Sequence, residues 1–122
     1  MTISVLVVDD SAVSRKMVIR SFPPGWDVAI TQAANGIEAL AALGDKPHAV
    51  VLLDLNMPMM DGYEFLEALG SSALVRPIVI VLSGDIQPQA QARVKALGAR
   101  VFVKKPIGAQ SILDALHECG LL

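Results

Sequence analysis

Four apolar runs end in polar residues of types that can do chemistry together. Asp9-Asp10 follows Ile3 to Val8, Asp54 follows Ala49 to Leu53, Ser83-Gly84-Asp85 follows Ile78 to Leu82, and Lys104-Lys105-Pro106 follows Val101 to Val103. Gathered on one patch, three carboxylates roughly 4 Å apart would repel one another by up to about 4 kcal/mol per pair at an effective dielectric of 20. A fold tolerates this if a cation sits among the acids or if one carboxyl keeps its proton. Oxygen-only ligands with open positions suit Mg²⁺, which keeps waters and uses one or two carboxylates together with a substrate phosphate. A hydroxyl and a lysine opposite leave room for a phosphoryl group, whose transfer is catalysed mostly by positioning and charge neutralisation.

The apolar runs are short and rich in β-branched residues, as expected of strands buried on both faces of a parallel sheet. A fifth segment, Val28 to Thr31, is strongly apolar only at Val28 and Ile30 and reads as an edge strand. Helical spacing lies between the strands: Val13, Met17, Val18 and Phe22; Ile37, Leu40 and Ala41; Phe65, Leu66 and Leu69; Ala90, Val94 and Leu97; and Ile112, Ala115, Leu116 and Cys119. Ser11 can cap the first helix, Pro23-Pro24-Gly25 lies beyond its end, and Gly44 and Gly98 mark helix stops. Five β-α repeats joined by right-handed crossovers predict a doubly wound α/β sandwich. The flavodoxin-like strand order 2-1-3-4-5 puts the weak second strand at an edge and the four polar strand ends side by side. Ligands of such sheets bind outside the carboxyl ends of the strands.

Composition narrows the classes. The 122 residues suit one domain, 1–122, with 53% hydrophobic content for a core. Ten basic and twelve acidic residues leave a net charge of −2, which argues against a nucleic-acid surface. One cysteine, Cys119, suits a reducing compartment. No apolar run reaches membrane-span length and no signal sequence is evident, so a cytoplasmic location without membrane attachment is expected.

Val7-Val8-Asp9-Asp10-Ser11, Leu53-Asp54-Leu55-Asn56-Met57-Pro58-Met59-Met60-Asp61-Gly62, Leu82-Ser83-Gly84, Gly98-Ala99 and Lys105-Pro106-Ile107 together resemble the receiver domain of two-component response regulators, of the chemotaxis-regulator-like (CheY-like) single-domain type. The likeness runs from Ile3 to Leu116 and supports the same strand order. It implies a phosphorylation-controlled signalling switch that catalyses only its own phosphorylation and slow dephosphorylation. By that resemblance, Asp54 is the phosphoacceptor, supplied by a sensor histidine kinase or phosphotransfer protein. Asp10 and Asp54 ligate Mg²⁺ directly, with the main-chain carbonyl of Asn56, and Asp9 acts through water. Lys105, which precedes the proline through a cis bond in relatives, pairs with the phosphoryl oxygens, and Ser83 donates to one of them. Phe102 stands at the aromatic switch position, read out on the face of helix four, strand five and helix five. Asn56 and Asp85 stand where relatives vary the lifetime of the acyl phosphate. A monomer without DNA-binding output in this chain is expected.

Other readings carry less of the pattern. Asp9 and Asp10 could be helix N-terminal acids, Ser83 a turn hydroxyl, Phe102 ordinary core and Lys104 a solvated lysine. Met57, Met59 and Met60 read as loop and packing residues, and Cys119 as a buried inert thiol. His48 and His117 belong at the opposite end of the sheet, which excludes a histidine triad or zinc site. Phosphohydrolases of the haloacid dehalogenase type need a second acid two residues after the nucleophile, where this chain has Asn56. A flavin site calls for aromatics at the strand tips, and Trp26 precedes strand two at the other end. A receiver that has lost phosphorylation and only binds proteins would not need the complete set of pocket residues.

Overall fold

The computed structural model describes residues 2–84 and 87–122, so Asp85, one of the two lifetime positions, lies outside the described residues. Ten elements alternate strictly. The strands are β1 (Ile3–Val8), β2 (Val28–Ala33), β3 (Val50–Asp54), β4 (Ile78–Ser83) and β5 (Val101–Lys104). The helices are α1 (Ala12–Arg20), α2 (Gly36–Asp45), α3 (Gly62–Gly70), α4 (Pro88–Ala96) and α5 (Ala109–Glu118). The strands form one parallel sheet in the order β2-β1-β3-β4-β5, as the sequence predicts. Among the described residues no helix is long and apolar enough to cross a membrane.

Alternation along the strands divides the core in two. Leu6, Val8, Val51, Leu53, Val79 and Val81 face α2, α3 and α4, where Leu43, Phe65, Leu66 and Val94 meet them. Val5, Val7, Val50, Leu52, Ile80, Leu82 and Val103 face α1 and α5 through Val18, Ile112, Ala115, Leu116 and Cys119. Both faces being covered explains why the strands read as unbroken apolar runs rather than as alternating ones.

Several boundaries and stripes differ from expectation. β2 runs on through Gln32 and Ala33, because the register carries these residues opposite Val7 and Val8 despite the polar side chain. Asp54 is the last residue of β3, paired with Leu82. Helix α2 continues through Gly44 to Asp45, whereas Gly98, at φ +105°, follows the end of α4 as predicted. Val13, Met17 and Ile37 are exposed. α1 instead seats Val18, with Ile19, on the sheet, Phe22 just beyond its end joins them, and the side chain of Arg15 also turns toward the strand ends. α2 faces inward with Gly36, Ala39 and Leu43, since small residues permit a close approach that turns Ile37 outward.

Two glycines fix the segment 55–61 that follows Asp54. The Gly62 amide donates to the Leu55 carbonyl at 3.0 Å, and the Gly36 amide donates to the Met60 carbonyl at 3.0 Å. A Cβ on Gly62 would lie 2.8 Å from the Asp54 carbonyl oxygen and 2.8 Å from the Leu55 Cα, so backbone blocks it. A Cβ on Gly36 would meet the Met60 Cγ at 2.6 Å and Sδ at 2.8 Å, in a flexible side chain that can turn aside, and its closest backbone contact, the Met60 carbonyl oxygen, lies at 3.0 Å. Helix propensity alone would favour alanine at both positions. The expected outcome is that Gly62→Ala lowers unfolding free energy by about 1–3 kcal/mol, in the range of other overpacking changes, and that Gly36→Ala costs less. Urea denaturation of the two variants measures this order.

Candidate functional site

The strand order and the pleat together assemble one polar patch. Asp9 continues the row of Val5 and Val7, Asp54 that of Val50 and Leu52, and Lys105 that of Val101 and Val103, so all three extend rows on the α1/α5 face. The Lys105 Nζ lies 3.0 Å from the Asp54 Oδ1 and 3.5 Å from the Asp9 Oδ2. Asp9 and Asp54 are buried and Asp10 is exposed, and one carboxylate oxygen from each falls within 4.8 Å of the others. This oxygen-only set, open to solvent on the Asp10 side, fits a hard divalent cation.

The β1–α1 turn is held by main-chain bonds. The Asp9 Oδ1 accepts from the Ser11 amide at 2.9 Å, and the Ser11 Oγ caps α1 by accepting from the Ser14 amide at 3.2 Å. Arg15 was not among the residues predicted for the site. Its Nη1 donates to the Asp9 carbonyl at 2.6 Å and its Nε to the Gln32 Oε1 at 2.9 Å. A lone arginine on a helix carries no sequence signal of such a bridge, which depends on where β2 ends.

Ser83 is buried and belongs to the opposite row, with Val79 and Val81, on the face of α2, α3 and α4. Its carbonyl accepts from the Lys105 amide at 2.9 Å, which ties the end of β4 to the residue carrying the ammonium. Phe102 is opposite Val81 in register, half-buried and packed on the same face as Ser83. Asn56 is exposed in the segment after β3, and Lys104 is exposed opposite Ser83. The Lys105–Pro106 peptide bond is cis.

Residues excluded on sequence stay outside the patch. The His48 ring is buried at the start of β3, its Nδ1 3.0 Å from the Lys46 carbonyl and its Nε2 3.3 Å from the Thr31 Oγ1, and burial lowers its pKa. His117 is exposed near the end of α5. Trp26 packs edge-on against Phe22, ahead of β2. The Cys119 thiol is buried, and burial raises its pKa.

The response regulator receiver domain model matches residues 5–117. The chain belongs to this family. It is a CheY-like receiver domain of two-component systems, a switch that accepts a phosphoryl group. Its fold matches the chemotaxis response regulator CheY4 of Vibrio cholerae over 100% of both chains, with TM-score 0.86 and 30% identity. It is 41% identical over 113 residues to a protein-glutamate methylesterase/protein-glutamine glutaminase of Treponema pallidum, which covers 89% of this chain but 28% of that protein. It is 32% identical over 120 residues to the sensory/regulatory protein RpfC of Xanthomonas campestris, covering 95% of this chain and 16% of the relative. The chain therefore spans under a third of the length of these two curated relatives.

Charge in the patch shapes its titration. Burial pushes the Asp54 carboxyl above its ordinary value; the hydrogen bond and charge of Lys105 oppose the rise, and the charge of Asp9 adds to it. Burial works against the Lys105 ammonium, but the hydrogen bonds and charges of Asp54 and Asp9 outweigh it, and its pKa is raised. A carboxyl whose folded pKa lies above its unfolded value favours the native state below the unfolded pKa, and this advantage is lost as pH rises through the folded pKa. With a chelator present, Asp54→Asn should therefore raise Tm by a few degrees at pH 7, and the gain should shrink as pH falls toward the ordinary carboxylate range. Calorimetry of both proteins across pH 4 to 7.5 checks the sign.

Proposed function

We propose that residues 1–122 form one receiver domain in which Asp54 takes a phosphoryl group from a phosphohistidine of a sensor histidine kinase or phosphotransfer protein. The observation that carries this reading is the Lys105 ammonium 3.0 Å from Asp54, with oxygens of Asp9, Asp10 and Asp54 all within 4.8 Å of one another. An Asp54 oxygen forms the new P–O bond while the P–N bond to the donor histidine breaks. The electron pair of that bond returns to the imidazole nitrogen, which takes up a proton. Lys105 holds the phosphoryl oxygens as negative charge shifts among them, and the Ser83 hydroxyl donates to one of them. Asp10, Asp54 and the Asn56 carbonyl would hold Mg²⁺, with Asp9 acting through water. When bound, the ion neutralises charge on the acids and the incoming phosphate.

The resulting acyl phosphate adds roughly −1.5 to −2 charges and three acceptor oxygens. Ser83 and Phe102 share one sheet face, so drawing the hydroxyl toward Asp54 makes room for the Phe102 ring and reshapes the surface of α4, β5 and α5. The domain acts as a monomer in the cytoplasm, without nucleic-acid or membrane contact, and turns over no substrate other than its own phosphoryl group. Asn56, where a haloacid dehalogenase needs its second acid, supports this over a phosphohydrolase.

With Mg²⁺ and acetyl phosphate, intact-mass analysis should show one added phosphoryl group, and Asp54→Asn should abolish it. Label persisting in that variant would refute the assignment. Asp10→Ala should weaken Mg²⁺ binding and stabilise the metal-free protein, because it removes like-charge repulsion; a lower Tm in chelator would count against the cluster. Ser83→Ala should still accept phosphate yet show a smaller response of the Phe102 ring to beryllofluoride in side-chain NMR. An unchanged ring response would sink the coupling.

A further inference from the structure

Asp10 is the exposed member of the acid cluster, and its carboxylate makes no hydrogen bond or ion pair among the described residues. Asp9 differs, since its oxygens are taken by the Ser11 amide and faced by Lys105. The position of the Asp10 carboxylate is therefore set by the main chain that carries it. The peptide unit entering Asp10 contains the Asp9 carbonyl, and that carbonyl accepts the 2.6 Å bond from the Arg15 Nη1. The same guanidinium is braced by its Nε on the Gln32 Oε1 of β2 at 2.9 Å. The Asp9 amide donates to the Ala33 carbonyl of β2 at 3.1 Å, so both main-chain groups of Asp9 are anchored to the edge strand.

We propose that Arg15, braced by Gln32, is a positioning residue of the metal site that fixes the Asp9–Asp10 peptide and thereby aims Asp10 at the ion. This rests on the reading of Asp9, Asp10 and Asp54 as the metal-binding acids. A planar guanidinium suits the task because its rigid fork spans two acceptors, which a lysine ammonium on a flexible stem does not hold in fixed relation. The two effects of removing Arg15 have opposite signs. Deleting a positive charge near three acids would strengthen attraction for a cation, whereas releasing the peptide would scatter the Asp10 oxygen and weaken binding. Groups that orient metal ligands commonly change affinity by about 10–100-fold when removed.

The test is a Mg²⁺ titration of the full chain by calorimetry, with amide NMR spectra to establish folding. Arg15→Ala should bind Mg²⁺ roughly tenfold more weakly than wild type. Gln32→Ala, which changes no charge, should weaken binding severalfold, and Arg15→Lys should fall between wild type and Arg15→Ala. The double variant should bind no worse than Arg15→Ala, since both changes break one bridge. Labelling of Arg15→Ala by acetyl phosphate should recover toward wild type as Mg²⁺ is raised. Unchanged or tighter Mg²⁺ binding in Arg15→Ala, or wild-type binding in Gln32→Ala, would overturn the proposal. Should Arg15→Ala fail to fold, Gln32→Ala and Arg15→Lys decide it. A wild-type chain that takes up no Mg²⁺ would instead overturn the metal-site reading and this inference with it.

Discussion

Like charges gathered at the end of a buried sheet are the constraint on which the rest of this molecule is organised. Asp54 would not remain buried beside Asp9 in water-poor surroundings without a compensating partner. Lys105 supplies one, reaching both carboxylates from the far edge of the sheet. Its position requires β5 to lie beside β4, which requires the crossover through α4. The acids in turn require β1 and β3 to be neighbours, with β2 displaced to the edge. Close packing around Gly62 and Gly36 then holds the segment after Asp54 against α2 and α3. Lys105 offsets the burial of Asp54 only in part, and the Asp54 pKa stays raised.

The pleat also separates two sets of side chains. Asp9, Asp54 and Lys105 extend rows on the face covered by α1 and α5, while Ser83 and Phe102 belong to the face covered by α2, α3 and α4. The three charged groups and the Ser83–Phe102 pair thus extend opposite faces of the same strands. The connection between them is short, because the Ser83 carbonyl accepts from the Lys105 amide.

Much of this could be read in advance because a parallel sheet writes its strands as apolar runs and its site as whatever follows them. The ends of β1, β3, β4 and β5 were visible for that reason, and so were Asp9, Asp10, Asp54, Ser83 and Lys105. Helix faces were harder. In nine- and ten-residue helices several apolar stripes compete, and packing decides among them: Val13, Met17 and Ile37 look like core residues by spacing and are exposed. Small residues such as Gly36 and Ala39 face the sheet on α2 because tight approach outweighs side-chain hydrophobicity. Arg15 was illegible for another reason. Its partners are a main-chain carbonyl and an edge-strand glutamine, so it becomes meaningful only once α1 and β2 lie beside each other.

Helix α4 is lightly seated on the sheet. It buries only Ala90 and Val94, and Gln87 gives it no side-chain cap. Its lateral contacts are surface ones, with the Arg93 guanidinium 4.0 Å above the Tyr63 ring and 3.6 Å from the Glu67 carboxylate. An element with few buried apolar contacts opens at lower free energy than the core strands. Helix α4, beside β5, is therefore held less firmly than the strands at the centre of the sheet. Under the proposed phosphorylation of Asp54, work done by one new charge at the strand ends would be taken up at α4 sooner than in the β1–β3 centre.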